Sequence, residues 1–96
     1  MRTTWLVTYD VRDPKRLRRV FRVVLGYGDH LQYSVFRCEL TDRELVELKG
    51  RLSMVIHHRL DQVLFVDVGP ADGRALEAFS AMGERYVASE RRAIVV

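Results

Sequence analysis

Residues 3–11 read Thr-Thr-Trp-Leu-Val-Thr-Tyr-Asp-Val and are followed at 12–15 by Arg-Asp-Pro-Lys. The first stretch is rich in β-branched and aromatic residues, which favour a strand buried in a sheet. Asp13 is a good helix N-cap and Pro14 suits the first helical position. The two stretches together predict a buried strand with Asp10 at its C-terminal end and a helix that begins directly behind it.

The predicted first helix carries apolar residues at the spacing i, i+3, i+4, i+7 and i+8, which places them on one face. They are Leu17, Val20, Phe21, Val24 and Leu25. Gly26 and Gly28 come next, and glycine readily takes the left-handed conformation that often closes a helix. We therefore expect these glycines to end the helix.

Residues 31–40 alternate well enough for a strand, although a break near Ser34 would make them a tight pair of strands. The pattern leaves both interpretations open. A further apolar run at 63–68, closed by Gly69-Pro70, predicts another strand.

A second helix is predicted between these strands. Thr41 with Glu44 three residues later has the spacing of a capping box, which marks a helix start. Helical spacing continues to about Ile56. The expected inward-facing residues are Leu45, Leu48, Leu52 and Val55.

The order strand, helix, strand pair, helix, strand predicts an α+β fold, a ferredoxin-like βαββαβ sandwich with both helices on one face of an antiparallel sheet. The chain has 96 residues, the size of one domain, with a core expected over 1–69. The extension 70–96 has helical spacing at Ala75, Leu76, Phe79 and Met82. Its apolar tail at 93–96 is expected to form an edge strand on this chain or on a second copy.

Charge is concentrated in one segment, although the formal net charge is only +3. Six basic residues surround the start and body of the first helix with Asp13 as the only acid among them: Arg12, Lys15, Arg16, Arg18, Arg19 and Arg22. Cations at a helix N-terminus are disfavoured by about 0.3–1 kcal/mol each. The basic patch therefore favours a phosphate partner, although a solvent-exposed cationic face is the simpler alternative.

The cysteine count and the hydropathy pattern bear on the compartment. Cys38 has no second cysteine with which to form an intramolecular disulfide, which fits a reducing environment. No signal-peptide core follows Met1, and no apolar stretch approaches the length of a membrane span. We expect a soluble cytoplasmic protein without a membrane partner.

Asp10 is the sharpest candidate for chemistry, because it ends a buried strand just before the basic helix. Mg²⁺ takes one or two protein carboxylates and keeps several waters, so two copies of Asp10 across a twofold axis would suffice to hold it. The alternative is a carboxylate that accepts hydrogen bonds from nearby backbone at the strand end. Tyr9 and Phe36 could stack on bases, although aromatic residues in strands are more often core.

Several short motifs occur in a recognisable order. They are Tyr9-Asp10-Val11, Arg16 and Arg19, Tyr27-Gly28, and Gln32-Tyr33-Ser34-Val35-Phe36. In order and spacing they resemble the Cas-two family of CRISPR-associated proteins. The capped helix at Thr41 and the strand after Asp61 extend the resemblance over most of the chain. It departs at His30-Leu31, where some members have an arginine.

The resemblance implies a homodimer in which Asp10 and its symmetry mate hold Mg²⁺, with Mn²⁺ as an alternative, and Asp10 is catalytic. It implies a metal-dependent endonuclease for RNA or double-stranded DNA, in the spacer-acquisition machinery beside the Cas-one integrase. It also implies that the C-terminal segment pairs with the partner subunit. The residues expected to contact nucleic acid or shape the cleft are Tyr9, Arg16, Arg18, Arg19, Ser34 and Phe36.

Three functions therefore stand as hypotheses. The first is the endonuclease. The second is a DNA-binding dimer that supports the integrase without cutting. The third, supported only by the fold, is a toxin or a small-ligand regulatory domain.

Overall fold

A computed structural model describes residues 1–86 of the chain. The strands are β1 (Thr3–Asp10), β2 (Asp29–Gln32), β3 (Val35–Leu40) and β4 (Gln62–Pro70), and the helices are α1 (Pro14–Leu25) and α2 (Asp42–Ser53). A 3₁₀ turn follows at Arg74–Glu77. The order βαββαβ confirms the predicted α+β, ferredoxin-like fold. The predicted tail strand at 93–96 lies outside the described residues.

The four strands form one antiparallel sheet in the order β2-β3-β1-β4. Because β1 is central, its alternate residues define the two faces of the sheet. Val7 pairs with Phe36 on one side and Phe65 on the other, and these side chains face the helices. Leu6 pairs with Arg37 and Val66, so these three lie on the opposite face, called here the open face.

The core lies between the sheet and the two helices. Its wholly buried side chains include Val7, Val20, Val24, Phe36 and Leu48. The predicted inward stripe of α1 is only partly correct, since Leu17 is 38 % exposed and Leu25 is 40 % exposed. Helix α1 thus turns Val20 and Val24 inward and leaves Leu17 at the edge of the sandwich.

The helix starts are as predicted, but the helix ends are not. The Asp13 carboxylate accepts from the Arg16 backbone N–H at 2.9 Å, and Thr41 and Glu44 form the reciprocal capping box. Gly26 closes α1 in a right-handed conformation, with φ −72°, so the expected left-handed glycine is wrong. Helix α2 ends at Ser53, three residues short of Ile56.

Gly28 is required for a different reason, which is close contact with β3. A Cβ atom at this position would lie 2.4 Å from the Arg37 carbonyl oxygen and 2.5 Å from the Cys38 Sγ atom. The backbone before β2 therefore passes so close to β3 that only a residue without a side chain fits. Burial around this contact also raises the pKa of the Cys38 thiol to about 12.

Residues 31–40, which the sequence pattern left as one strand or two, belong to two strands. β2 and β3 pair as a hairpin with a two-residue turn, Tyr33-Ser34. Tyr33 takes a φ of 34°, and among residues 1–86 no other non-glycine residue has a positive φ. The turn lacks the glycine or asparagine that usually marks such hairpins, which is why the sequence did not decide between one strand and two.

The described part of the extension lies against its own chain. Ala75 is buried, the Ala71 backbone N–H donates to the Arg2 carbonyl, and the Phe79 ring lies 5.7 Å from the Arg37 guanidinium carbon. The predicted helical stretch is shortened to the 3₁₀ turn, and Met82 is almost fully exposed. Residues 70–86 thus cover part of the open face of the same chain.

The contact at Gly28 predicts a large difference between two glycine substitutions. We expect Gly28→Ala to destabilise the fold by about 1–3 kcal/mol or more, because the new methyl group meets backbone that cannot move aside. Gly50→Ala on α2 has open space, and we expect it to stabilise the fold by up to about 1 kcal/mol. Urea unfolding of both variants measures the difference. A Gly28→Ala protein as stable as the native one would contradict this account.

Candidate nucleic-acid and metal site at the end of strand β1

Asp10 ends β1 on the open face, because it lies two and four residues beyond Thr8 and Leu6. It pairs with Gln62 of β4 but has no β3 partner, since β3 begins at Val35, which pairs with Thr8. The side chain is exposed. Within residues 1–86 its carboxylate has no hydrogen bond or ion pair, so the structural alternative of a backbone-satisfied Asp10 does not apply to this part of the chain.

A groove of about 610 Å³ opens beside Asp10, between α1 and the turn of the β2–β3 hairpin. Leu17 and Phe21 of α1 contribute to an apolar floor, together with Tyr9 of β1 and Val11 just after that strand. The polar and charged side chains on its border are Asp10, Arg18, Arg22, Tyr33 and Ser34. An anionic ligand with an apolar part could therefore be held next to the free carboxylate.

The arginines of α1 divide into two groups. Arg18, Arg19 and Arg22 are exposed and have no acidic partner among the described residues. Arg18 and Arg22 are spaced i, i+4, so they lie on one side of the helix and both border the groove. These two are placed to meet a phosphate group at the groove.

Arg16, which we predicted to contact nucleic acid, is instead paired within the chain. Its Nε and Nη2 atoms donate to the two carboxylate oxygens of Asp61 at 2.8 and 3.2 Å. The Asp61 side chain is 1 % exposed and also accepts the His57 backbone N–H at 2.7 Å. This bidentate ion pair fastens the first turn of α1 to the segment that enters β4.

The ion pair lowers the pKa of the Asp61 carboxyl, chiefly through the hydrogen bond from Arg16. Sequence reasoning missed Asp61, because 45 residues separate the two partners and no local spacing links them. The available signal was that Asp61 is an acid directly before a predicted strand. It adjoins Gln62, the residue that pairs with Asp10.

Two predicted cleft residues are core residues in this chain. Phe36 is fully buried, and its ring contacts those of Phe21, His30 and Tyr9 with centroids 4.9 to 6.1 Å apart. Tyr9 is 5 % exposed, and burial raises its pKa. Tyr9 still lines the groove, as does Ser34, whose carbonyl accepts the Tyr9 backbone N–H at 3.2 Å. Phe36 supports the groove from beneath and does not line it.

Asp10 suits a hydrated divalent cation. Mg²⁺ prefers oxygen ligands, keeps several waters and is commonly bound through one or two carboxylates. Residues 1–86 contain no group of three or more His, Cys, Asp or Glu side chains that could hold a metal together. The Asp10 carboxylate therefore suits a hydrated divalent cation that takes only one or two ligands from the protein.

Comparison with known proteins decides the family. The model of the family described as CRISPR associated protein Cas2 matches residues 1–74. This chain belongs to the Cas2 family. Its match covers every helix and strand described above, which confirms the resemblance found in the sequence.

Relatives in this family include two proteins that carry the name CRISPR-associated endoribonuclease Cas2. The one from Rhodospirillum rubrum is 37 % identical over 96 % of this chain and 89 % of its own length. The one from Thermodesulfovibrio yellowstonii is 45 % identical over 88 % of this chain and 90 % of its own. The crystal structure of Streptococcus pyogenes Cas2 is 35 % identical, with a TM-score of 0.74, over 83 % of this chain and 99 % of that one.

No helix among residues 1–86 of this Cas2 protein is long and apolar enough to cross a membrane.

The Arg16–Asp61 pair predicts a component of acid sensitivity. The pKa of Asp61 is lower in the folded chain than in the unfolded one, so the pair stabilises the fold fully above the unfolded pKa, near 4. That contribution is lost as the pH falls from this value through the folded pKa. We expect Asp61→Asn to be less stable than the native protein at pH 7 and the difference to shrink as the pH falls below about 4, measured by urea unfolding.

Glu47→Gln is the matched control, since Glu47 meets Arg43 only in an exposed pair at 4.0 Å. It should leave the pH profile almost unchanged. Parallel profiles for Asp61→Asn and the native protein would contradict the assigned role of the ion pair.

Proposed function

We propose that this chain is a metal-dependent endonuclease that hydrolyses RNA and works as a homodimer around two copies of Asp10. The observation that carries the proposal is the exposed Asp10 carboxylate at the end of the central strand, bordered by Arg18 and Arg22, none of which has an ion-pair partner within residues 1–86. RNA is the favoured substrate because the relatives from Rhodospirillum rubrum and Thermodesulfovibrio yellowstonii are named endoribonucleases.

The open face of the sheet supports the dimer. Leu64 is 49 % exposed and Val66 is 47 % exposed on β4, where their pairing with Thr8 and Leu6 places them on this face. Apolar side chains gathered on one face of a small domain gain stability when a second copy covers them. A self-complementary contact of this kind follows a twofold axis.

Asp10 lies on the same face as Leu6 and Thr8, at its end. A partner that covers the open face would therefore bring its own strand-end carboxylate towards this one. In such an arrangement two copies of Asp10 would hold Mg²⁺ or Mn²⁺ jointly, with water and phosphate oxygens completing the ligands.

The chain's own residues would divide the work as follows. Arg18 and Arg22 bind and orient the phosphate backbone beside Asp10, while the Arg16–Asp61 pair holds α1 in place. A metal ion held by Asp10 would supply an activated water and neutralise charge on the phosphate. Ser34, on the turn of the hairpin, shapes the wall opposite α1.

We also propose that the dimer works in the cytoplasm, in spacer acquisition with the Cas-one integrase. The support is the role implied by family resemblance, together with the free cationic face of α1. The buried, unreactive Cys38 thiol is compatible with a reducing compartment.

Asp10→Asn should abolish cleavage while leaving the fold and the RNA affinity nearly intact, because the substitution removes the metal-binding charge and keeps the side-chain shape. The measurement is cleavage of labelled single-stranded RNA and of duplex DNA with Mg²⁺, Mn²⁺ or EDTA. We expect a loss of at least about a hundredfold in rate with Asp10→Asn, and a similar loss of native activity in EDTA.

Asp72→Asn is the matched control, because Asp72 is exposed and follows the end of β4 that is opposite Asp10. It should cleave at the native rate. Cleavage that persists in Asp10→Asn would exclude the proposed active site. Binding without cleavage under every condition would favour the DNA-binding assembly function in place of the nuclease.

A further inference from the structure

His30 of β2 makes two kinds of contact next to the groove, and the proposed function assigns it no role. From these contacts we infer that His30 is a positioning residue for Asp10, acting through the turn of the β2–β3 hairpin. The inference rests on the proposed metal site at Asp10 and adds a residue that fixes where the metal ligand lies.

The first contact is a hydrogen bond to the turn. The His30 Nε2 atom lies 2.6 Å from the Tyr33 carbonyl oxygen. A carbonyl oxygen can only accept, so Nε2 must carry a proton and donate it. The neutral ring is therefore the Nε2–H tautomer, and the imidazolium form keeps the same donor.

The second contact holds the ring itself. The centroid of the His30 ring lies 5.0 Å from that of Phe21 on α1, edge to face, and 4.9 Å from that of Phe36 on β3. Aromatic rings attract one another at these separations, and Phe36 is fully buried. His30 thus joins the turn of the hairpin to α1 and to the core.

The turn needs such support. Tyr33 has a φ of 34°, a conformation that a residue with a side chain keeps only when surrounding contacts hold it there. The turn also lacks the glycine or asparagine that favours a two-residue hairpin connection. The hydrogen bond from His30 to the carbonyl of this same residue stabilises the strained conformation.

The turn in its place supports the end of β1. Because β3 begins at Val35, which pairs with Thr8, regular pairing on this side of β1 stops before Tyr9. The Tyr9 backbone N–H donates instead to the Ser34 carbonyl oxygen at 3.2 Å. A turn that moved would break this hydrogen bond and release the residue directly before Asp10.

Loss of the His30 donor should therefore act on Asp10 and not on the arginines of the groove. Arg18 and Arg22 lie on α1, which is held by its own N-cap and its own ion pair to the segment before β4. We expect metal affinity and kcat to fall, while RNA affinity and KM stay at their native values.

The test compares His30→Phe with His58→Phe. Phenylalanine keeps a ring beside Phe21 and Phe36 and removes the donor. His58 is the matched control, because its Nε2 atom also donates to a backbone carbonyl, that of Ser53 at 2.8 Å, and it precedes β4 without lining the groove. Thermal unfolding shows whether both variants fold.

We expect His30→Phe to speed hydrogen exchange at the Tyr9 amide by about tenfold beyond any change at Val20 in α1. Mn²⁺ binding, followed by electron paramagnetic resonance, should weaken by about tenfold. The affinity for single-stranded RNA in EDTA should not change, and His58→Phe should alter none of these quantities. A loss of global stability alone would move Tyr9 and Val20 together.

Exchange at Tyr9 that His30→Phe leaves unchanged relative to Val20 would overturn the inference, and so would native Mn²⁺ affinity in that variant. An Nδ1–H tautomer of His30, seen by nitrogen NMR of the native protein, would overturn it without any variant. If the native protein binds no Mn²⁺, the proposed metal site is wrong. Faster exchange at Tyr9 in His30→Phe would in that case still show that His30 positions the end of β1.

Discussion

Strand β1 is hydrogen-bonded along both edges, to β3 on one side and to β4 on the other, and the site depends on where these two pairings stop. The β3 pairing ends at Thr8, while the β4 pairing continues to Asp10. Asp10 is therefore held in register on one side and opens onto the groove on the other. A shift of one residue in this register would turn Asp10 towards the helices.

The Arg16–Asp61 ion pair holds the start of α1 against the residue that precedes β4, close to this end of β1. Arg16 is the basic residue whose backbone N–H is capped by Asp13, in the turn that follows Asp10. Its guanidinium donates hydrogen bonds to the buried Asp61 carboxylate and not to Asp10. Asp10 therefore has no ion-pair partner in the described part of the chain. One carboxylate thus stabilises the entrance to α1, and the other has no ion-pair partner within residues 1–86.

Local sequence signals predicted the order of elements and both helix starts, because caps and hydrophobic periodicity depend on neighbours within one or two turns. They also identified Asp10 as the strand-end acid. They missed Asp61, whose role depends on a partner 45 residues away. They predicted that Gly28 helps to end α1, whereas the structure requires glycine there because the backbone lies close to Cys38 of β3. That tertiary contact leaves no local sequence signal. The turn at Tyr33 was undecided because its residues do not match the usual hairpin turn.

The central claim is that Asp10 is a metal ligand shared between two copies of the chain. The most direct measurement is a titration with Mn²⁺ followed by electron paramagnetic resonance, with the mass of the protein determined in the same buffer. The account predicts one tightly bound ion per two chains in a dimer, and loss of that ion in Asp10→Asn without loss of the dimer. One ion per chain, bound equally well by Asp10→Asn, would contradict it.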